Sequence, residues 1–356
     1  MPGKVYFIRV DDGASPETLA AKAATLYDKA GYASQLEAGK LVGVKQHFGE
    51  KGSDGYLKPP IAKRFVELVK ATGAKPFLVE TSTLYKGCRG TAVDHLNLAH
   101  EHGFTHERVG CPLIMADGLV GASQVFVEVP GKHYRRVPIA ADAFHAFAFV
   151  VLTHVTGHPG AGLGGSIKNV AMGLSSRAAK LNQHHGDVPI VDAEKCTACG
   201  VCAGLCPADA ITVDEMAVID KEKCIGCGEC LAVCPFDAVG FKWAEQSDRL
   251  NEKMVEHALA VKQTHEGRMC YFNFMTHVTK GCDCFGIQQD AGCPDIGILA
   301  ADDMLAVDAA TIDLAKRELG KDLFAEFTPE ASYAAQLTYG EALGLGSREY
   351  ELIEIT

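Results

Sequence analysis

The sequence predicts an α/β fold, a mostly parallel sheet with flanking helices, interrupted by a small inserted α+β domain. Three observations predict it. Strand-like and helix-like segments alternate from the start of the chain, the pattern of βαβ units. Between residues 188 and 243 that alternation stops and a cysteine-rich repeat takes its place. After it, strand and helix patterns resume. The expected organisation is therefore residues 1–187 as the first part of an α/β domain, 188–243 as the insert and 244–356 as the remainder.

Taken in order, residues 4–10 read as a strand and 15–30 as a helix, with Ser15 as N-cap before Pro16. Residues 40–47 read as a strand, 60–72 as a helix closed by Gly73, 75–80 as a strand and 94–102 as a helix ended by Gly103. Alternating runs at 125–129 and 133–137 meet at Pro130 and Gly131, which predicts a hairpin. Residues 147–154 form an apolar strand, followed by a glycine-rich loop and a helix near Ser166. Beyond the insert, 248–265 is a helix, 269–278 and 296–300 are strands, and 305–319 is a helix.

The insert carries the sharpest chemical signal. Cys196, Cys199, Cys202 and Cys206 precede Pro207, and Cys224, Cys227, Cys230 and Cys234 precede Pro235, each run spaced C-x2-C-x2-C-x3-C-P. This spacing wraps a 4Fe-4S cluster with three thiolates, while the fourth ligates the cluster of the other run. The expected cofactors are two 4Fe-4S clusters, one on Cys196, Cys199, Cys202 and Cys234, the other on Cys224, Cys227, Cys230 and Cys206. The two halves repeat at 28 residues, ending in PADAI and PFDAV. Zinc also uses paired C-x2-C motifs, but it has no use for a crossed eight-cysteine register. The insert thus reads as a two-cluster ferredoxin-like domain.

With 356 residues, the chain is long enough for two or three domains. A net charge of -11 with no Lys/Arg block argues against nucleic acid as a partner. The start of the chain lacks the basic and apolar regions of a signal peptide. The most apolar run, 143–155, is broken by His145 and His154 and too short to span a bilayer. A cytoplasmic protein is expected, since such clusters need a reducing compartment.

A second site is expected at the glycine-rich turn from His154 to Asn169. Strand ends in open parallel sheets bind ligands, and helix starts offer free N–H groups to anions. Gly164, Gly165 and Asn169 would contact a bound group, Lys168 would anchor its charge, and His154 or His158 would move a proton. The competing reading is that Gly160, Gly162, Gly164 and Gly165 simply pack a tight loop. Lys45 and His47, the hydroxyl-rich stretch 80–86, and the pair His184 and His185 could face the same rim, or else be core edge, helix caps and a solvated turn. A third cysteine group, Cys270, Cys282, Cys284 and Cys293, could hold a further metal or cluster, act as redox thiols, or pack as small apolar residues. Asp283 and Asp295 read as exposed loop acids; Cys88 and Cys111 have no assigned role.

Several stretches outside the insert resemble the domain-of-unknown-function 362 family, whose members often carry such a ferredoxin insert. They are 44–49 (VKQHFG), 79–86 (VETSTLYK), 153–158 (THVTGH), 164–173 (GGSIKNVAMG), 281–286 (GCDCFG) and 294–300 (PDIGILA). The resemblance implies an α/β body with a ferredoxin domain and a redox role. The expected function is an oxidoreductase that passes low-potential electrons through the clusters to a substrate or metal in the α/β domain. Its partners would be a soluble electron donor or acceptor protein and a small anionic substrate. The alternatives are a non-enzymatic electron carrier or docking partner, and a hydrolase with purely structural clusters.

Overall fold

The computed structural model describes residues 3–84, 87–184, 188–206, 208–224, 230, 233–236, 238–240 and 247–356. Its centre is a nine-stranded sheet. In chain order the strands are β1 (Gly3–Arg9), β2 (Leu41–Lys45), β3 (Lys75–Glu80), β4 (Leu113–Met115), then a hairpin of β5 (Gln124–Glu128) and β6 (Arg136–Ala140) outside this sheet. They continue with β7 (Ala148–His158), β8 (Gly162–Gly164), the insert's β9 (Ile190–Val191), β10 (Ile211–Val213), β11 (Ala217–Ile219) and β12 (Val239–Gly240), and finally β13 (Met269–Thr279), β14 (Gly297–Ala301) and β15 (Tyr350–Ile355). The spatial order is β15-β1-β14-β13-β7-β2-β3-β4, with β8 folded back on β7. β15/β1, β13/β7, β7/β2, β2/β3 and β3/β4 are parallel; β14 runs antiparallel to both its neighbours.

Period-two alternation places side chains on the two faces of this sheet. On β7, Phe149 and Val151 join one core while Val150 and Leu152 join the other; on β14, Leu299 and Ala301 oppose Ile298 and Ala300. One face is covered by helices Ser166–Gly173, Ser247–Thr264 and Met304–Leu319, the other by Pro16–Ala30 and Pro59–Ala71. Each large apolar side chain so buried contributes roughly 1.5–3 kcal/mol. The α/β body is continuous across the insert, because β7, from before it, pairs with β13, from after it, with Phe272 opposite Leu152.

The expected elements form with small differences. Ser15 caps its helix by accepting from Thr18 N at 3.2 Å. The hairpin is wider than Pro130 and Gly131 imply: Glu128 pairs with Arg136, so its second strand starts three residues late. Strand β7 does not end at His154 but runs on to His158, since nothing in 155–158 breaks a strand sterically. The C-terminal β15 extends the sheet beyond β1.

Within the insert, β10 pairs with β11 and β9 with β12, each antiparallel, the latter joining Ile190 to Gly240. Entry and exit of the insert are thus side by side. No described helix is long and apolar enough to cross a membrane.

Candidate active site and cysteine-rich insert

The parallel strands β2, β3 and β7 end along one edge of the sheet, and a cavity of about 840 Å³ opens there. The chain steps from β2 to β3 and β4 on one side and later returns to lay β7 on the other side of β2, and such a reversal of strand order opens a crevice at the strand ends. The strand ends supply His47, Glu80, Thr81 and His158 to its wall; helix Ser166–Gly173 supplies Lys168, Asn169 and Met172. Helix Arg177–His184 adds Lys180 and His184, the loop after β3 adds Cys88 and Arg89, and the loop after β13 adds Cys284 and Phe285. Lys51, Arg89, Lys168 and Lys180 line this space with Glu50 and Glu80, so the wall carries a cationic excess.

Most of these charges are already engaged. Arg89 donates Nε to Glu50 at 2.9 Å, and Glu50 also accepts from Lys51 N and Cys88 N. Burial works against ionising Glu50, but Arg89 and these N–H groups outweigh it and hold its carboxyl below the usual range. Beneath the cavity, fully buried Lys45 pairs with Glu80 and donates to Asn169 Oδ1 at 2.7 Å, while Asn169 Nδ2 donates to Leu152 O and Thr153 Oγ1. Asn169 is therefore committed to positioning Lys45. Lys180 spends its three donors on Thr81 Oγ1, Ser82 O and Ser175 O, and burial pushes its ammonium down to about 8.

Lys168 is different. Among the described residues its Nζ hydrogen-bonds only sulfur, Cys282 Sγ at 3.0 Å and Cys284 Sγ at 3.7 Å. Burial lowers its pKa to about 8. It is a half-buried cation with charge to offer a ligand.

The two histidines divide their roles. His158 Nδ1 accepts from Gly160 N and Ala161 N, and burial, reinforced by Lys168, lowers its pKa well below the ordinary value. It is a neutral imidazole whose remaining proton sits on Nε2, at the cavity wall. His154 lies behind the wall. Its Nδ1 faces Asp283 Oδ2 at 2.9 Å and its Nε2 faces the carbonyls of Thr276 and His277, both at 3.1 Å. Both nitrogens meet only acceptors, so both donate. Burial opposes protonation, yet Asp283 and the carbonyls together raise its pKa. Those carbonyls reach His154 because β13 bulges between Phe274 and Thr279, with His277 at φ 46°. His154 is thus a clamp on the loop that holds Asp283, and Asp283, expected to be exposed, is buried. Gly157 lets that loop cross β7: a Cβ there would run into the carbonyl of Lys280.

The glycine turn also resolves differently from the expectation of an open anion site. Ser166 N and Ile167 N, the first donors of the helix, are taken by Asp308 Oδ1 and Oδ2 at 2.8 and 2.9 Å. Gly165 is small because its Cβ would lie 2.6 Å from Asp308, and Gly164 because its Cβ would meet Thr156 Oγ1 at 2.7 Å. The chain supplies its own anion to this helix start, so ligand charge falls to Lys168. His184 lines the cavity, one of the two alternatives its sequence left open, whereas His185, Tyr85 and Lys86 lie outside the described residues. Sequence reasoning missed Arg89, Glu50, Lys180 and Asp308; Arg89 and Glu50 were findable as charged residues just past the ends of β3 and β2.

The third cysteine group is not brought together. Cys270 is buried at the start of β13, at the other end of that strand from Cys282, and its thiol is pushed up by burial. Cys293 packs against the opposite core, near Asp295 and Lys321. Cys282 and Cys284 are joined in a disulfide across Asp283. Asp295 accepts from Gly13 N and His277 N.

In the insert, Cys196, Cys199, Cys202 and Cys234 line a single hollow. Backbone N–H groups of Ala217, Ala238 and Ala210 donate to the sulfurs of Cys196, Cys234 and Cys206 at 3.4, 3.3 and 3.3 Å. The loop curls through left-handed backbone at Ala198 (φ 53°) and Gly200 (φ 75°); for alanine this costs roughly 1–2 kcal/mol, a strain typical of ligand-clamping loops. Among the described residues no three His, Cys, Asp or Glu side chains close on one ion. Four cysteines on one hollow, three of them from one tight loop, are the donor set a cubane would need, with each thiolate on a different iron. Cys206, Cys224 and Cys230 of the other set are described; Cys227 lies outside the described residues.

The sequence model of the DUF362 family, a domain of unknown function, matches residues 42–313, most of the chain. The chain belongs to this family. No protein of curated function matches it. Among solved structures, the lactate racemase apoprotein from Thermoanaerobacterium thermosaccharolyticum is similar at 14% identity and a TM-score of 0.38, over 76% of this chain and 50% of that one. A Thermotoga maritima protein is similar at 10% identity and a TM-score of 0.39, over 74% and 51%. The chain spans about half the length of each of these structures.

Proposed function

We propose that this family member is an iron–sulfur oxidoreductase that takes low-potential electrons through two 4Fe-4S clusters in residues 188–243 and delivers them to a small anionic substrate in the cavity. One observation carries the reading: four cysteines from both halves of the repeat, the set expected for one cluster, line one hollow, with N–H groups aimed at the sulfurs of Cys196 and Cys234. Cys206, Cys224, Cys227 and Cys230 would hold the second cluster. A soluble donor protein would supply the electrons.

The α/β body contributes binding and protons. Lys168 pairs with the substrate's negative charge, and Arg89, held by Glu50, adds field at the same wall. His158 donates Nε2–H to the oxygen on which charge builds as the substrate is reduced. With a pKa of about 8, Lys168 is also poised to give up the proton that accompanies the electron. His154, tied at both nitrogens, positions the loop instead. The chain on either side of the insert is anchored at the cavity: His184 and Leu250 both line it. Ile190 follows His184 by six positions, so the insert's first strand begins within about 22 Å of the cavity. A bare electron carrier has no use for such a charged cavity.

The test is anaerobic reduction with dithionite, then reoxidation by small carboxylates and other anionic acceptors, followed by electron paramagnetic resonance. An anionic acceptor should reoxidise the protein, Lys168→Gln should slow this at least tenfold, and the wild-type rate should fall as pH rises through about 8 and Lys168 loses its charge. Equal rates with neutral and anionic acceptors, unmoved by Lys168→Gln, would favour the carrier.

A further inference from the structure

The disulfide between Cys282 and Cys284 lies against a cation that a neutral disulfide does not need. Lys168 Nζ stands 3.0 Å from Cys282 Sγ and, among the described residues, hydrogen-bonds nothing but these two sulfurs. The backbone N–H of Cys284 also donates to Cys282 Sγ at 3.2 Å. Two donors on one sulfur, one of them charged, are what a thiolate requires. The residue between the cysteines, Asp283, is turned into the buried ion pair with His154, which holds the loop against β7. Cys282 is buried while Cys284 lines the cavity, so one sulfur is sheltered and the other meets a ligand. As a staple the bond would do little, because it closes a loop with one residue inside it.

We infer that Cys282 and Cys284 are a redox-active disulfide/dithiol couple in the cavity wall, with Lys168 holding the reduced Cys282 as thiolate. Two electrons and one proton break the S–S bond, leaving Cys282 as thiolate and Cys284 as thiol. Re-forming the bond returns the two electrons and the proton to an anionic two-electron acceptor seated against Cys284. The reductant is a low-potential one-electron donor acting twice, or a dithiol. The couple would let a site fed by single electrons carry out a two-electron reduction. It deepens the proposed function and rests on that reading only for the acceptor.

The whole chain is equilibrated in mixtures of reduced and oxidised dithiothreitol, quenched with N-ethylmaleimide and mapped by peptide mass spectrometry, with iron counted on the same sample. The 282–284 peptide should pass reversibly from unlabelled to doubly labelled in one two-electron step. Cys88, a free thiol lining the same cavity, should label throughout and so report access. Lys168→Gln should move the equilibrium at least tenfold towards the disulfide, about 30 mV, and Lys168→Arg should largely restore it. Full labelling of both cysteines under oxidising conditions, a bond that excess dithiol leaves intact, or an equilibrium indifferent to Lys168→Gln would overturn the inference. Should the glutamine variant fail to fold, the wild-type arms still decide. The transition without iron would sink the cluster reading alone; iron without the transition would sink the couple alone.

Discussion

At the scale of single residues, the site is governed by what each charge is already bound to. Lys45, Lys180 and Arg89 are cations with carboxylate, hydroxyl or amide partners, whereas among the described residues the half-buried Lys168 faces sulfur and cavity. His154 and Asp283 form a buried pair, and breaking such a pair strands a charge. Asp283→Ala should therefore destabilise the fold by about 3 kcal/mol, measured by chemical denaturation near pH 6. The pH dependence follows from the raised folded pKa of His154. Its contribution is fully present below the unfolded value and is lost as pH rises through the folded one, so the gap between wild type and variant should narrow at high pH. A gap that widens with pH would contradict the pairing. None of this was legible in the sequence, where His154 and Asp283 lie 129 positions apart and the latter sits in what reads as an exposed loop.

At the scale of elements, periodicity and capping carried most of the information. Ser15 before Pro16 gave the first helix, and the apolar runs gave β1, β2, β3, β13 and β14 to within a few residues, whereas the three-residue β4 was too short to leave a period. The register of the hairpin and the length of β7 were not readable, since both depend on what the far strand offers rather than on local signals. The glycine turn is the instructive case. Gly160 to Gly165 looked equally suited to approaching a ligand or to tight packing, and the deciding partner, Asp308, comes from a helix 142 positions away. Gly165→Ala should cost about 2 kcal/mol by forcing a methyl group against the Asp308 carboxylate. A thermal shift within error of wild type would show that the helix start can relax around it.

At the scale of the whole molecule, a continuous sheet is assembled from segments on both sides of the insert, and the insert's ends pair with each other through Ile190 and Gly240. That arrangement explains how a cysteine-rich unit can interrupt the chain without interrupting the sheet. At the edge where β2, β3 and β7 end, Lys168, His158 and Cys284 of the disulfide pair line one cavity. The spacing of the eight cysteines is the most local signal in the chain, because the thiolates a cluster would need lie within two short runs. The cavity's cationic wall was only half legible, because its charges come from five separate stretches.

The central claim is tested most directly by purifying the chain without oxygen, counting iron, sulfide and zinc, and recording electron paramagnetic resonance after dithionite. The account predicts about eight irons and about eight sulfides per chain with the signal of two interacting clusters. Fewer than about four irons, with about two zincs in their place, would contradict it.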